Sequence, residues 1–194
     1  MRKVIYGGAC SLDGFLAAGD GALDWLHFST DVEAVMKKFW ANTDALLFGR
    51  KTWEQAAGAG GGGGSSTGMK SYLFSRTLKK APGKGVELVG ADAGGFVRAL
   101  KQQPGKDILV MSGGNLAASL FEAGVIDEVG LNIHPLLLGS GAPAFLDPGA
   151  RVKLQLTACR ELDGGCVLVT YRVLHQAERS SGTPARSGSD RRAR

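Results

Sequence analysis

The sequence predicts an α/β protein built on a mixed, mostly parallel sheet of about eight strands, flanked by helices and ending in an antiparallel hairpin. Short apolar segments alternate with amphipathic helical segments through residues 4–135, which is the order of parallel β-α-β units. The last two extended segments instead alternate apolar and polar residues around a central turn. With 194 residues, of which 44% are hydrophobic, the chain can bury a core of its own.

The first half of the chain supplies four of these strands and two helices. Apolar residues at helical spacing, among them Val32 and Phe39, indicate a helix over Asp31–Ala41, with Thr30 or Asp31 as its N-cap. A second helix begins within Gly49–Glu54. The strands are short apolar runs bounded by turn residues, at Val4–Ala9, Asp44–Phe48, Ser71–Ser75 and Gly85–Val89.

The second half continues the alternation and then changes character. A helix over Ala91–Gln103 is closed by a Pro-Gly pair, and another helix ends at Ala123. Buried strands are predicted at Asp107–Met111 and Asp127–Pro135. The closing segments Val152–Ala158 and Cys166–Leu174 flank an Asp-Gly-Gly turn and predict a hairpin with one buried face.

Two segments lack the apolar periodicity of the rest. Gly58–Gly68 is a glycine-rich run inside the domain, and we interpret it as a flexible surface loop because it cannot bury enough apolar surface to offset its ordering entropy. Gln176–Arg194 is rich in Ser, Gly, Pro and Arg, and we interpret it as a disordered basic tail. The sequence therefore predicts one domain over residues 1–175, followed by a tail over 176–194.

Charge and cysteine content exclude several classes of protein. The net charge of +5 lies largely in the tail, which carries five arginines against two acids, and the body has no basic-aromatic stripe, so we expect no nucleic-acid partner. The three cysteines form neither a disulfide framework nor a zinc motif, so we expect no metal and a reducing cytoplasmic location. No apolar run approaches the length of a membrane span, and we expect no membrane partner.

Three predicted strand ends carry groups that suit an anion. Glycines, hydroxyls, an amide and cations recur at these junctions, where free backbone N–H groups and positive charge favour phosphate. Each segment alone is also compatible with an ordinary surface turn, but three of them on one sheet favour a nucleotide with several phosphates. The segments are Gly49-Arg50-Lys51-Thr52, Ser75-Arg76-Thr77 and Ser112-Gly113-Gly114-Asn115.

Several of these segments resemble one superfamily. Ala45–Glu54 resembles the cofactor motif of dihydrofolate reductase. The rest is similar to the branch that contains the reductase domain of the bifunctional riboflavin-biosynthesis deaminase–reductase, and the likeness spans about Arg2–Leu174. The blocks that carry it are Ser11–Ala17, Tyr72–Leu78, Ser112–Gly114, Ala123–Glu128 and His134–Gly141.

The resemblance implies a dihydrofolate-reductase-like fold that binds NADPH and transfers hydride to a small-molecule substrate. Gly49, Arg50, Lys51 and Thr52 match the segment that holds the cofactor phosphates. Ser75 and Arg76 match the segment around the adenosine 2′-phosphate, and the diphosphate loop is matched by Gly113, Gly114, Asn115 and Leu116. The cations Arg50 and Arg76 favour NADPH over NADH, because the 2′-phosphate needs a positive partner.

The proton donor is less defined than the cofactor site. Dihydrofolate reductases use an acid of the first long helix, and alignment from the two sides of that helix gives Asp31 or Glu33; either is also a usual first-turn acid. Asp13 lies in the loop expected beside the nicotinamide and fits a turn role or a site role. A proton can reach the substrate from any of these three carboxyls or from ordered water.

The expected activity is reduction of a small polar heterocycle or a related C=N or C=O group. Reduction of a ribosylamino-pyrimidine phosphate in riboflavin biosynthesis is one alternative, and a non-catalytic nucleotide-binding relative is another. No zinc deaminase signature occurs in the chain. The resemblance also implies a homodimer, with the apolar segment Ile133–Leu138 as a candidate interface.

Overall fold

A computed structural model describes residues 1–58 and 68–175. Its elements, in chain order, are β1 (Val4–Ser11), β2 (Phe15–Ala18), α1 (Thr30–Ala41), β3 (Thr43–Gly49), α2 (Arg50–Gly58), β4 (Lys70–Phe74), β5 (Val86–Val89), α3 (Ala93–Gln102), β6 (Asp107–Met111), α4 (Gly114–Glu122), β7 (Glu128–His134), β8 (Gly141–Pro143), β9 (Lys153–Leu162) and β10 (Cys166–Leu174). The predicted loop at Gly58–Gly68 and the predicted tail at Gln176–Arg194 lie, apart from Gly58 and Gly68, outside the described residues.

One eight-stranded sheet organises the molecule, in the order β5-β4-β3-β6-β1-β7-β10-β9. The first six strands in this order run parallel to one another, and β10 is antiparallel to both of its neighbours, β7 and β9. The predicted mixed, mostly parallel sheet with a terminal hairpin is therefore confirmed. The sequence did not predict the small antiparallel pair of β2 and β8, whose members have four and three residues.

Helices cover the central strands on both faces. One face carries the larger core cluster, in which Val97 of α3 and Leu120 of α4 pack with Val4, Leu47 and Val110 of the sheet. The other face carries two smaller clusters that involve α1 and α2. The central strands are buried on both faces, which explains why their sequences are continuous apolar runs.

Two local expectations were wrong. The N-cap of α1 is Ser29, whose hydroxyl accepts the Val32 N–H at 3.4 Å, rather than Thr30 or Asp31. The hairpin also lacks a buried face on its first arm, because nine of the ten residues of β9 are exposed and only Leu162 is buried. The alternation of apolar and polar residues in β9 therefore does not mark a face that packs on the core.

The ends of the parallel strands are tied together by polar side chains. Lys101, which is 8% exposed, donates to both carboxylate oxygens of Asp127, at 2.8 and 2.7 Å, and to the Val125 carbonyl. Asp127 in turn accepts the Val4 N–H at 2.8 Å. This network joins α3 to the amino ends of β1 and β7. None of the described helices is long and apolar enough to cross a membrane.

Candidate active site

Five parallel strands end side by side at one edge of the sheet, in the order β4, β3, β6, β1, β7. Their carboxyl ends lead into Ser75, Gly49, Ser112, the turn after Ser11, and His134 respectively. The three predicted anion-binding segments therefore lie at adjacent strand ends. Ligands of open α/β sheets bind at this edge, where loops and helix N-termini converge.

The turns after β3 and β6 form a single unit. The Gly49 N–H donates to the Ser112 hydroxyl at 3.1 Å, and the Gly113 N–H donates to the Thr52 hydroxyl at 3.3 Å. A Cβ on Gly49 would lie 2.6 Å from Ser112 Oγ, so a larger residue there would displace the Ser112 hydroxyl. Thr52 and Gly49 therefore hold the two turns in register, in addition to any contact with a ligand.

Two glycines at the start of α4 differ in the space around them. Gly113 is the N-cap with no side-chain capping bond, and a Cβ there would meet no atom within 4 Å. At Gly114, by contrast, a Cβ would lie 2.7 Å from Leu146 Cγ. Asn115 is exposed and Leu116 is buried in the core. Gly113 and Asn115 thus face open space, while Gly114 and Leu116 fix the helix by packing.

Three exposed cations surround this unit. Arg50 and Lys51 begin α2, and Arg76 follows β4. Arg50 donates to both carboxylate oxygens of Glu54, at 2.8 and 3.2 Å, so part of its charge is compensated within the helix. Within the described part of the chain, no ion pair involves Lys51 or Arg76.

Ser75 has a structural task beside Arg76. Its hydroxyl accepts the N–H groups of Thr77 at 3.3 Å and of Leu78 at 3.1 Å, and its own N–H donates to the Val89 carbonyl at 3.0 Å. The side chain is 9% exposed. Ser75 therefore closes the turn that places the Arg76 side chain in solvent, next to the turn after β3.

The Asp13 carboxylate joins two loops at the end of β1. It accepts the Ser11 hydroxyl at 2.6 Å, the Leu138 N–H at 3.1 Å and the Gly139 N–H at 2.8 Å. The Ser11 hydrogen bond, more than the two backbone donors, lowers the pKa of Asp13 below its usual value. Asp13 is therefore ionised at neutral pH, with its oxygens occupied by the protein.

The acids at the start of α1 differ from each other. Asp31 accepts the Ser29 hydroxyl, the Val32 N–H at 2.7 Å and the Asp163 N–H at 3.0 Å. The Ser29 hydrogen bond is the main cause that lowers the pKa of Asp31. Glu33 is exposed on the outer surface of the helix. The two lie on one helix turn, and Asp31 ties α1 to the β9–β10 turn.

A histidine cluster lies under the loop that follows β2. His134 ends β7 and is 2% exposed; the Trp25 ring packs edge-to-face on it, with centroids 5.2 Å apart. Cys166 Sγ and the His27 nitrogen both lie 3.5 Å from its Nδ1. Burial, with a smaller effect of His27, lowers the pKa of His134, so the ring is neutral at pH 7.

Asn132 contacts this cluster and was not predicted from the sequence. Its Nδ2 lies 3.2 Å from His134 Nε2, and its Oδ1 is buried with no hydrogen-bond partner among the described residues. The backbone N–H of His27 points to Nδ1 of His134, so the proton of the His134 ring belongs on Nε2. The Nε2–H group can donate to the Asn132 side chain when its amide is flipped, which places the amide oxygen next to Nε2. Either orientation leaves one buried polar group of Asn132 without a partner among the described residues.

Comparison with known proteins agrees with this architecture. Residues 2–168 match the family described as the RibD C-terminal domain. The chain belongs to this family. The uncharacterized protein YyaP of Bacillus subtilis (strain 168) is 30% identical over 181 residues, an alignment that covers 88% of this chain and 95% of YyaP.

Solved structures show the same RibD reductase fold. A Shewanella sp. PV-4 protein assigned to riboflavin biosynthesis superposes with a TM-score of 0.80 at 23% identity, covering 90% of this chain and 100% of that one. The Thermotoga maritima diaminohydroxyphosphoribosylaminopyrimidine deaminase/5-amino-6-(5-phosphoribosylamino)uracil reductase superposes with a TM-score of 0.65 at 16% identity. That match covers 89% of this chain and 57% of the Thermotoga chain. The predicted dihydrofolate-reductase-like fold and its RibD branch are thereby confirmed.

Proposed function

We propose that this RibD-family domain is an NADPH-dependent reductase that transfers hydride to a small polar heterocycle or a related C=N or C=O group. The observation that carries the proposal is the row of adjacent strand ends, in which an open helix N-terminus at Gly113 lies beside exposed cations. Backbone N–H groups and positive charge together suit a diphosphate.

The residues present fit this cofactor. Gly113 and Asn115 at the start of α4 would hold the diphosphate, because a Cβ at Gly113 meets nothing and the helix N-terminus has no side-chain cap. Arg76 and Arg50 would pair with the 2′-phosphate, which NADH lacks. NADPH supplies the hydride; the chain binds and orients the reactants and excludes water.

The proton in this proposal comes from water. Asp13 and Asp31 have lowered pKa values and their oxygens accept protein donors, so both are poor acids at neutral pH. Glu33 is exposed on α1. Among the three predicted acids, Asp13 and Asp31 instead keep the loops around the site in place.

Asn132 and the family support the substrate class that we propose. A buried amide group without a partner favours a ligand with a complementary donor or acceptor, such as the amide and amino groups of a pyrimidine or pterin. The Thermotoga relative carries the name of a ribosylamino-uracil reductase. Reduction of a ribosylamino-pyrimidine phosphate is therefore the specific form of the activity that we propose.

Calorimetry with NADPH and NADH tests the cofactor half of the proposal. We expect micromolar NADPH binding, weaker NADH binding, and loss of the preference in Arg50→Ala/Arg76→Ala. Arg151→Ala is the matched control, since Arg151 is exposed beside the amino end of β9, away from the strand ends of the site. Failure of the wild-type protein to bind NADPH contradicts the proposal.

Turnover tests the reductase half. NADPH oxidation is followed by absorbance with ribosylamino-pyrimidine phosphates, pterins and simple imines as substrates. Turnover with the pyrimidine phosphate supports the specific activity, and turnover with another compound supports only the broader one. Tight NADPH binding without turnover of any compound favours a non-catalytic nucleotide-binding protein.

A further inference from the structure

Positive charge is concentrated in the connection between β4 and β5, residues 75–85. This segment contains no acidic residue, and its exposed cations are Arg76, Lys79, Lys80 and Lys84. Outside this segment and the predicted tail, acidic residues outnumber basic ones, so the excess positive charge of the predicted domain lies in this connection. Within the part of the chain that the structure describes, none of these four side chains forms an ion pair. Their charge is therefore available to a solute.

Two contacts hold the β4–β5 connection against the sheet. The Ser75 hydroxyl accepts the N–H groups of Thr77 and Leu78, at 3.3 and 3.1 Å, which closes the first turn. The half-buried Leu78 side chain then packs on the core cluster that contains Trp53 of α2. The two lysines that follow Leu78 are therefore anchored on the face of the sheet that carries α2.

These two lysines lie near the proposed cofactor phosphates without belonging to the strand end itself. Lys79 and Lys80 are three and four residues beyond Arg76, which limits the separation of their Cα atoms from that of Arg76 to about 11 and 14 Å. The Debye length is about 30 Å at 0.01 M salt and about 10 Å at 0.1 M. The two ammonium groups therefore attract an anion approaching Arg76 through solvent at low ionic strength, and added salt removes most of this attraction.

We propose that Lys79 and Lys80 steer the cofactor to its site: their charge accelerates the association of NADPH, and they make no contact with bound NADPH. This inference rests on the proposed function, in which Arg50 and Arg76 pair with the 2′-phosphate. Charges that act before contact change the association rate constant, whereas groups that touch the ligand change mainly the dissociation rate constant. The two lysines and the two arginines therefore have separate kinetic roles.

Steering adds to the preference for NADPH over NADH. A phosphate monoester carries about 1.5–2 negative charges at neutral pH, and NADH lacks the 2′-phosphate. The charge of Lys79 and Lys80 therefore accelerates the association of NADPH more than that of NADH. Lys84 is further along a connection that leads back to the amino end of β5, because β4 and β5 are parallel. Its effect on association should be smaller.

Stopped-flow fluorescence of NADPH binding to the full-length protein tests the proposal. We expect the association rate constant of the wild type to fall as NaCl is raised from 20 to 500 mM. At 20 mM NaCl, Lys79→Gln/Lys80→Gln should associate about three- to fivefold more slowly than wild type, with an unchanged dissociation rate constant and melting temperature. At 500 mM NaCl the two proteins should associate at the same rate. The difference at 20 mM should be smaller with NADH.

Two control variants separate charge from contact. Lys79→Arg/Lys80→Arg keeps the charge but changes the geometry of the donors, so it should associate as fast as wild type. Lys37→Gln/Lys38→Gln removes the same charge from exposed positions near the carboxyl end of α1, which leads into the amino end of β3, away from the site. This matched control should slow association at 20 mM NaCl by less than twofold.

The results that would overturn the proposal differ from those that contradict the proposed function. Equal association of wild type and Lys79→Gln/Lys80→Gln at 20 mM NaCl overturns steering, and so does an equal slowing in Lys37→Gln/Lys38→Gln, which would reduce the effect to net charge. Faster dissociation of Lys79→Gln/Lys80→Gln would make the lysines contacts of the cofactor and also overturns it. A wild type that binds no NADPH contradicts both proposals, whereas the three other results leave the cofactor site standing.

Discussion

The Ser112 hydroxyl lies 3.1 Å from the amide nitrogen of Gly49, in the space that a side chain at Gly49 would occupy. This contact joins the carboxyl ends of β3 and β6, from which α2 and α4 begin. The positions of Arg50 and Gly113 relative to each other therefore depend on it. The geometry of the proposed cofactor site is maintained by a glycine and a serine that need not touch the cofactor.

Gly49→Ala should weaken both the fold and NADPH binding. The new Cβ would lie 2.6 Å from Ser112 Oγ, so the serine must move and its hydrogen bond to the Gly49 N–H is lost. Overpacking of this size costs about 1–3 kcal/mol. We expect the melting temperature to fall by several degrees and NADPH affinity to fall at least tenfold, measured by calorimetry.

A second substitution separates the effect of the steric conflict from the effect of the lost hydrogen bond. The atom in conflict is Ser112 Oγ, whereas Ser112 Cβ would lie 3.9 Å from the new methyl group. Gly49→Ala/Ser112→Ala should therefore bind NADPH about as tightly as Ser112→Ala alone, which loses the hydrogen bond to Gly49 without the steric conflict. A Ser112→Ala protein that binds NADPH as tightly as wild type would show that the contact does not set the site geometry.

Glu54→Gln should tighten NADPH binding. Glu54 holds both of its carboxylate oxygens near the Arg50 guanidinium at the start of α2. An exposed i,i+4 pair of this kind is worth about 0.3–0.5 kcal/mol, so release of Arg50 corresponds to about a twofold gain in affinity. The gain should shrink in high salt. Glu87→Gln, an exposed acid on β5, is the control, and an equal gain there would contradict the proposed pairing of Arg50 with phosphate.

The sequence predicted the order of strands and helices because local patterns determine them. Apolar runs bounded by turn residues match β1, β3, β6 and β7 to within a few residues at each end. The pairing of β2 with β8 was missed because residues about 120 positions apart form it, in strands too short to show a pattern. The exposure of β9 was missed for a related reason, since alternation of apolar and polar residues does not show whether another element packs on the apolar face.

The sequence predicted the parts of the candidate site in which the ligand-binding residues directly follow a strand. Arg76 and Gly113 follow apolar runs directly, and the parallel sheet brings them to one edge. Asn132 gave no such signal, because it lies inside β7 and its role depends on His134, two residues along the same face. For Asp13 the sequence left a turn role and a site role open. Its hydrogen bonds to the backbone of residues 138–139 show that its carboxylate joins two loops.

Asn132→Leu should weaken substrate binding without weakening NADPH binding. The variant removes a buried amide group that has no partner among the described residues, together with the contact to His134. Loss of one hydrogen bond to substrate corresponds to about a 3–10-fold rise in KM. The melting temperature should stay within about two degrees, because the lost contact and the removed unpartnered group offset each other.

The active heterocycle identified by the substrate screen is the probe for this variant. Steady-state kinetics give KM, and calorimetry gives the dissociation constant for NADPH. The matched control is Thr170→Val, which removes a polar group from the neighbouring strand β10. An unchanged KM in Asn132→Leu, with unchanged stability, would exclude a contact between this amide and the substrate.

His134 should make the fold sensitive to mild acid. Burial lowers the pKa of His134 below its usual value of 6.5, so the folded protein keeps the ring neutral where the unfolded chain takes up a proton. The stabilisation is complete above about pH 6.5 and is lost as the pH falls from there through the folded pKa. The pKa values of Asp13 and Asp31 are lowered from 3.8, so these carboxylates lose their contribution only in a more acidic range.

Thermal unfolding at pH 7.5, 6.5 and 5.5 measures this effect. One proton bound only by the unfolded state gives a slope of up to about 1.4 kcal/mol per pH unit, which is several degrees in melting temperature. His134→Gln keeps a polar side chain beside Asn132 and cannot titrate. We expect this variant to be less stable than wild type at pH 7.5 but to lose less stability on acidification. Parallel melting curves for the two proteins between pH 7.5 and 5.5 would mean that the buried ring titrates as it does in water.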